Sequence, residues 1–266
     1  MNLNNTELQE HLAKQSQQIQ QKFNRAIELA GNDAILRQEI IENLRLNKQG
    51  NLSTRALEAS LGDLVDFLER YSQRVSGDFA SRFRRMHRQN ADPFQAESEL
   101  RTAEDILEER TILGENCSIE GLPENPSRST PEYRVTDKDG ENRLVEVKRI
   151  GEPGQPLSRT GIDCAARTLR DRNLRAAFSQ IKSQAEQTFE REGFVRIDAS
   201  HTGSSNITPE NIRRLIKGRL VFQRVNKKVI DFVKWVEVLY NDNTGTARRL
   251  LFKFEHGELT IYANED

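Results

Sequence analysis

The spacing of apolar residues in the first part of the chain constrains its fold more than any other feature. Up to about residue 95, apolar side chains recur every three or four positions between Gln, Lys, Glu and Arg, the period of an amphipathic helix. Breaks at Gly31-Asn32-Asp33 and at Gly50-Asn51 divide this part into predicted helices over Glu7–Leu29, about 33–47 and about 54–71. We therefore predict that residues 1–95 form an all-helical region, either a bundle or an oligomerisation region.

The pattern changes after Pro93. One further helix is expected over about 94–112, and Gly114 follows it. Strands alternating with helices then predict an α/β domain over residues 96–266. The predicted strands are Cys117–Leu122, Glu132–Thr136, Arg143–Ile150, Phe194–Ser200, Lys234–Tyr240 and Arg248–Phe254, with helices over about 165–190 and from about Pro209.

Composition excludes several classes of protein. Apolar residues make up 35% of the 266 residues and charged residues 30%, which favours small cores over one large apolar core. The formal net charge of −1 favours no partner, so only local patches can indicate nucleic acid. No apolar stretch is long enough for a membrane helix, and there is no secretory signal pattern. Two cysteines are too few for a disulfide scaffold, and the four histidines show no zinc-ligand spacing. Together with the missing signal pattern, this predicts a cytoplasmic protein.

The stretch around Asp137-Lys138-Asp139-Gly140 predicts a hairpin that brings charged residues together. Side chains alternate between the faces of a strand, so Glu146 and Lys148 share one face, and folding about Asp139 brings Glu132 close to Glu146. Two neighbouring carboxylates repel each other, and a divalent cation such as Mg²⁺ removes that penalty. The same pattern is also typical of an ordinary solvated hairpin face, which is the alternative interpretation.

Pro131-Glu132, followed across the hairpin by Glu146-Val147-Lys148, resembles the motif of the PD-(D/E)xK nuclease superfamily. Members of that family share a helix, three strands, a helix and a further strand, which is the order predicted here from Glu97 to Ser200. The resemblance therefore implies a restriction-endonuclease-like core (helix, mixed sheet, helix). Glu132 stands where the family more often has Asp.

The resemblance also implies roles for individual residues. Glu132, Glu146 and the Val147 carbonyl would hold Mg²⁺ or Mn²⁺, and Lys148 would activate water or steady the phosphate. A supporting carboxylate is implied at Glu104, with Glu108 as the alternative, and a supporting amide at Gln180, with Gln184 as the alternative. The stretch from about residue 165 through Asp198 to Thr208-Pro209 further resembles the nuclease domains of contact-dependent inhibition toxins and related polymorphic toxins.

Two basic tracts are candidates for contact with a phosphate backbone, which attracts clustered Lys and Arg. One comprises Arg159, Arg167, Arg170, Arg172 and Arg175, and the other includes Arg213, Arg214 and Lys217. Each is also compatible with a solvated helix face.

The sequence thus predicts a metal-dependent endonuclease that hydrolyses phosphodiester bonds of DNA or RNA, with a possible homodimer through the helical region and no membrane partner. Two alternatives stay open. One is a non-catalytic nucleic-acid-binding or assembly protein on the same fold. The other is an oligomeric helical interaction protein whose hairpin is a solvated face.

Overall fold

The computed structural model describes residues 5–88, 93–123, 130–149, 180–186, 192–200, 232–241, 244, 246–255 and 258–265. Within them the chain is mixed α/β, as the sequence predicted at that coarse level. Contacts divide the chain into two compact units. The first comprises residues 1–123 and 136–139, and the second comprises residues 124–135 and 140–266.

Helices dominate the first unit. They are α1 (Asn5–Ala13), α2 (Gln17–Leu29), α3 (Ala34–Lys48), α4 (Thr54–Tyr71), α5 (Ala80–His87) and α6 (Pro93–Leu107), and they are accompanied by the parallel strands β1 (Val75–Gly77) and β2 (Ser118–Gly121). Helix α6 and strand β2, which the sequence analysis assigned to the second region, therefore lie in the first unit.

Two local differences from the predicted helices have identifiable causes. The single helix expected over Glu7–Leu29 is broken into α1 and α2, because Ser16 caps α2 by accepting a hydrogen bond from the N–H of Ile19 at 3.3 Å. The basic tract from Arg82 to Arg88 lies in the region predicted to be helical and contributes most of α5, whereas strand β1, in the same region, was not predicted. Arg82 itself is fully buried, so this tract is not simply a solvated surface.

Aromatic and aliphatic residues fill the core of the first unit. Phe67 on α4 lies 5.1 Å from Phe79 and 5.5 Å from Phe83 between ring centroids, and all three rings are buried. Asp33 caps α3 through the N–H of Leu36 at 2.9 Å. None of the helices in the described residues combines the length and apolar character needed to cross a bilayer.

Strands dominate the described part of the second unit. They are β3 (Tyr133–Thr136), β4 (Asn142–Arg149), β5 (Gly193–Asp198), β6 (Val233–Asn241), β7 (Ala247–Glu255) and β8 (Glu258–Glu265), and residues 180–186 form helix α7. The strands lie side by side in chain order, with β4, β5 and β6 parallel and β7 and β8 antiparallel. The sequence analysis did not predict β8.

Strand β4 is central to this sheet, and four successive residues on it, 144–147, are buried. A parallel strand covered on both faces normally carries apolar residues at all such positions. Leu144, Val145 and Val147 follow that rule, and Glu146 does not. Glu146 is therefore a buried charged residue on β4 whose position apolar packing does not explain.

Candidate functional site

Glu146 and Lys148 occupy one face of β4, as their two-residue spacing predicts. The Glu146 side chain is fully buried, whereas the Lys148 side chain keeps 20% of its surface exposed. Their carboxylate and ammonium groups form an ion pair. A charged carboxylate is costly to bury unless it is paired, so Lys148 offsets part of that cost.

The neighbouring strands surround this ion pair with apolar side chains. In the parallel register, Glu146 lies beside Val195 and Lys148 lies beside Ile197, so these four side chains share one face of the sheet. Val236 and Val238 of β6 continue that face. Electrostatic interactions are stronger in such apolar surroundings than in water.

Helix α7 packs against the beginning of β5. A Cβ atom added at Gly193 would lie 2.5 Å from Cγ2 of Ile181. Gln180, one residue before Ile181, is 8% exposed. Among the described residues its Oε1 atom has no hydrogen-bond partner. The structure therefore brings the helix of Gln180 against β5, the strand that pairs with β4.

Glu132 lies just before β3. Its N–H donates to the carbonyl of Val145 at 3.0 Å, which places Glu132 directly across the hairpin from Val145. Opposed residues of an antiparallel pair share one face, so Glu132 starts on the face of Val145 and Val147, whereas the sequence analysis expected it on the face of Glu146. Its side chain is half-buried. Val147 lies between Glu146 and Lys148 and buries its side chain on the opposite face of β4.

The two candidate carboxylates, Glu104 on α6 and Glu108 just after it, belong to the first unit and bind residues of that unit. Glu104 accepts a hydrogen bond from Arg70 at 3.0 Å. Glu108, the alternative, accepts a hydrogen bond from the Tyr71 hydroxyl at 2.6 Å. Burial, followed by this hydrogen bond, raises the pKa of Tyr71 to about 12. Both carboxylates therefore have partners on α4.

The candidate nucleic-acid contacts lie outside the described residues. This applies to Arg159, Arg167, Arg170, Arg172, Arg175, Arg213, Arg214 and Lys217. Their proposed role stays a prediction from the sequence.

One buried charge cluster was missed by the sequence analysis. Arg196 on β5 and Glu237 on β6 are fully buried, lie side by side in register and form an ion pair, and Arg249 on β7 reaches the other Glu237 oxygen at 3.2 Å. Alternation along β5 places this cluster on the face opposite Glu146. The sequence signal for it is a charged residue between apolar neighbours in each of two strands, Arg196 between Val195 and Ile197 and Glu237 between Val236 and Val238.

The described residues contain no group of three or more His, Cys, Asp or Glu side chains arranged to hold a metal ion. The candidate donors are therefore the carboxylates of Glu146 and Glu132 with a backbone carbonyl. Comparisons with protein-family models and with curated proteins find no match.

Proposed function

We propose that the protein is a metal-dependent nuclease that hydrolyses phosphodiester bonds of DNA or RNA. The observation that carries this proposal is the buried Glu146 carboxylate, paired with Lys148 on a strand that lies beside β5, against which helix α7 packs. A structural ion pair of this kind is expensive in an apolar environment. A catalytic site, in contrast, uses a desolvated carboxylate and a neighbouring ammonium directly.

We also propose that the core is restriction-endonuclease-like. Along the chain, α6, β2, β3, β4, α7 and β5 follow one another in the order of helix, three strands, helix and strand. The parallel pairing of β4 with β5 across a connection that contains α7 supports this arrangement.

The donor set suits Mg²⁺ or Mn²⁺. Mg²⁺ is commonly held by one or two carboxylates, with water and substrate oxygens completing its coordination, so Glu146 would be its principal carboxylate ligand. Glu132, the other proposed carboxylate, lies on the adjacent segment but starts on the opposite face of the hairpin. The Val147 carbonyl is the proposed backbone donor. When bound, such an ion lowers the pKa of a coordinated water and polarises a phosphate.

Protein side chains would activate the water, position the site and bind the nucleic acid. Lys148 would orient the attacking water or neutralise charge on the phosphate, since its ammonium is the partly exposed member of the pair. Gln180 would position the site from α7 through its buried amide. The basic tracts outside the described residues would hold the nucleic-acid backbone.

A cleavage assay on the full chain tests the proposal. Plasmid DNA, single-stranded DNA and total tRNA are incubated with Mg²⁺, Mn²⁺ or EDTA. We expect metal-dependent cutting that falls by about a thousandfold in Glu146→Gln and in Lys148→Ala, which is within the usual range for loss of a general acid–base group. Circular dichroism should show that both variants keep their secondary structure.

Lys138→Ala and Glu141→Gln are matched controls, because both residues are exposed on the same hairpin. They should cleave as the parent does. Cleavage that survives in Glu146→Gln, or that proceeds equally in EDTA, would contradict the proposal. Metal-independent, salt-sensitive binding without turnover would instead favour a binding protein on this fold.

A further inference from the structure

A cavity of about 370 Å³ lies within the first unit, lined by residues of α4, α5 and α6. Phe67, Phe83, Met86 and Leu100 form its apolar part. Charged side chains line the rest: Asp63, Asp66, Arg70, Glu97, Arg101 and Glu104. A site of this size with a few convergent polar groups is typical of ligand pockets.

The charges of this cavity do not balance. Four carboxylates face two guanidinium groups. Arg70 is bound to Glu104 at 3.0 Å, and Asp63 is bound to His87 at 2.5 Å. Among the described residues, the carboxylates of Asp66 and Glu97 form neither a hydrogen bond nor an ion pair. The cavity therefore has surplus negative charge beside an apolar surface.

We propose that this cavity binds an arginine side chain presented by a basic segment of a partner protein. The guanidinium group would pair with Asp66 and Glu97, and the aliphatic stem would pack on the apolar side chains. Arginine fits better than lysine, since its planar fork binds carboxylates in a bidentate manner and stacks on aromatic rings. The unit already shows this mode internally, because Arg70 lies 5.1 Å from the centroid of the Tyr71 ring while bound to Glu104.

Charge complementarity selects this occupant over other classes. An anionic ligand, including a nucleic-acid backbone, would be repelled by the surplus carboxylates. A purely apolar segment would cover the exposed Asp66 and Glu97 carboxylates without pairing them, which removes their contact with water at a cost. This inference does not depend on the proposed nuclease activity, because every lining residue belongs to the first unit.

The chain offers a selective probe, because it contains only two methionines, Met1 and Met86. Met86 lines the cavity. With ¹³C-methyl methionine in the full-length protein, titration with a blocked five-residue peptide carrying one central arginine should shift the Met86 methyl resonance and leave Met1 unchanged. Peptides with lysine or with neutral citrulline at the centre provide the chemical comparison.

The Asp66→Asn/Glu97→Gln double variant should bind the arginine peptide about tenfold more weakly, as expected for two partly exposed ion pairs. The matched control is Glu10→Gln/Glu115→Gln, which removes two exposed carboxylates elsewhere. It should bind as the parent does. The citrulline peptide should bind at least about tenfold more weakly than the arginine peptide.

Several results would overturn the proposal. These are no Met86 shift up to millimolar peptide, equal binding of the citrulline or lysine peptide, or unchanged binding in the double variant. A Met86 shift that depends on protein concentration alone would identify a second copy of the chain as the occupant, and would also overturn it.

Discussion

The two units surround their buried carboxylates with different partners. In the first unit, Glu99 is 1% exposed and accepts a hydrogen bond from the Gln95 amide at 3.0 Å. It also pairs with Arg85 and lies 3.4 Å from the Nε atom of Arg82. In the second unit, Glu146 is fully buried and pairs with Lys148, two residues along the same strand.

This difference distinguishes a carboxylate held by guanidinium groups from one paired with an ammonium group. Guanidinium groups stay charged and hold carboxylates in a fixed geometry, so the Glu99 cluster ties α5 to α6. An ammonium on a flexible stem is a weaker constraint, and Lys148 is partly exposed. We therefore interpret Glu99 as part of the scaffold and Glu146 as a group that can exchange its partner.

Paired substitutions would test this distinction directly. Glu99→Gln should lower the free energy of unfolding of the first unit by about 3 kcal/mol, because the buried Arg82 loses the closer of its two carboxylate neighbours, with Asp78 remaining at 3.9 Å, and Arg85 loses its ion pair. Glu146→Gln should cost the second unit much less, since the Lys148 ammonium can turn to solvent. Urea unfolding would be followed by helix ellipticity for the first unit and by fluorescence of Trp235, the single tryptophan, for the second.

Glu97→Gln, on the exposed side of the same helix, is the control for Glu99. It should change stability by less than about 0.5 kcal/mol. Equal losses for Glu99→Gln and Glu146→Gln would remove the distinction between a scaffold carboxylate and an exchangeable one.

Metal binding without substrate gives a smaller but independent test. If Lys148 and a cation compete for the Glu146 carboxylate, Mn²⁺ at about tenfold its Kd should stabilise the parent by about 1.4 kcal/mol. Lys148→Ala should bind Mn²⁺ more tightly, and Glu146→Gln should lose the effect. Glu99→Gln should retain it. Calorimetric titration and thermal unfolding measure these changes, and Mn²⁺ binding that Glu146→Gln leaves intact would refute the assignment.

Local patterns in the sequence predicted much of the second unit. The Asp-Gly turn and the alternation of side chains were sufficient to predict strands β3 and β4 within one or two residues, and the common face of Glu146 and Lys148 follows from the two-residue period. These features depend only on neighbours along the chain, which is why they are readable without a structure.

Partners distant in sequence were not predictable in this way. Arg82 reads as part of a solvated basic tract, yet it is buried, because the carbonyl of Leu122, 40 residues away, accepts from its Nη2 at 3.2 Å. Arg70, which binds Glu104, lies 34 residues before it. The Arg196–Glu237 pair was missed for the same reason, because its members lie 41 residues apart in the sequence, on adjacent strands.

Glu192, the residue before β5 in the second unit, has both a lysine and an arginine as ion-pair partners. It pairs with Lys234 on β6 and with Arg143 on β4, the latter at 3.4 Å. Burial opposes its ionisation, but the hydrogen bonds and charges of Lys234 and Arg143 outweigh that effect and lower the pKa of Glu192. Ionised Glu192 therefore stabilises the folded state above its unfolded pKa, and this contribution is lost as the pH falls through the lowered folded value.

Glu192→Gln should accordingly lower the free energy of unfolding by less than about 1 kcal/mol at pH 7, since the pair is partly exposed and screened by solvent. The difference from the parent should shrink towards zero once the pH falls below the lowered pKa of folded Glu192, when the carboxylate is protonated in both states. Trp235 fluorescence during urea unfolding at each pH gives the measurement. Glu186→Gln, an exposed site on α7, is the control, and it should show no comparable change with pH. A Glu192→Gln difference that stays constant as the pH falls below that pKa would mean that packing of the side chain, and not its charge, stabilises this region.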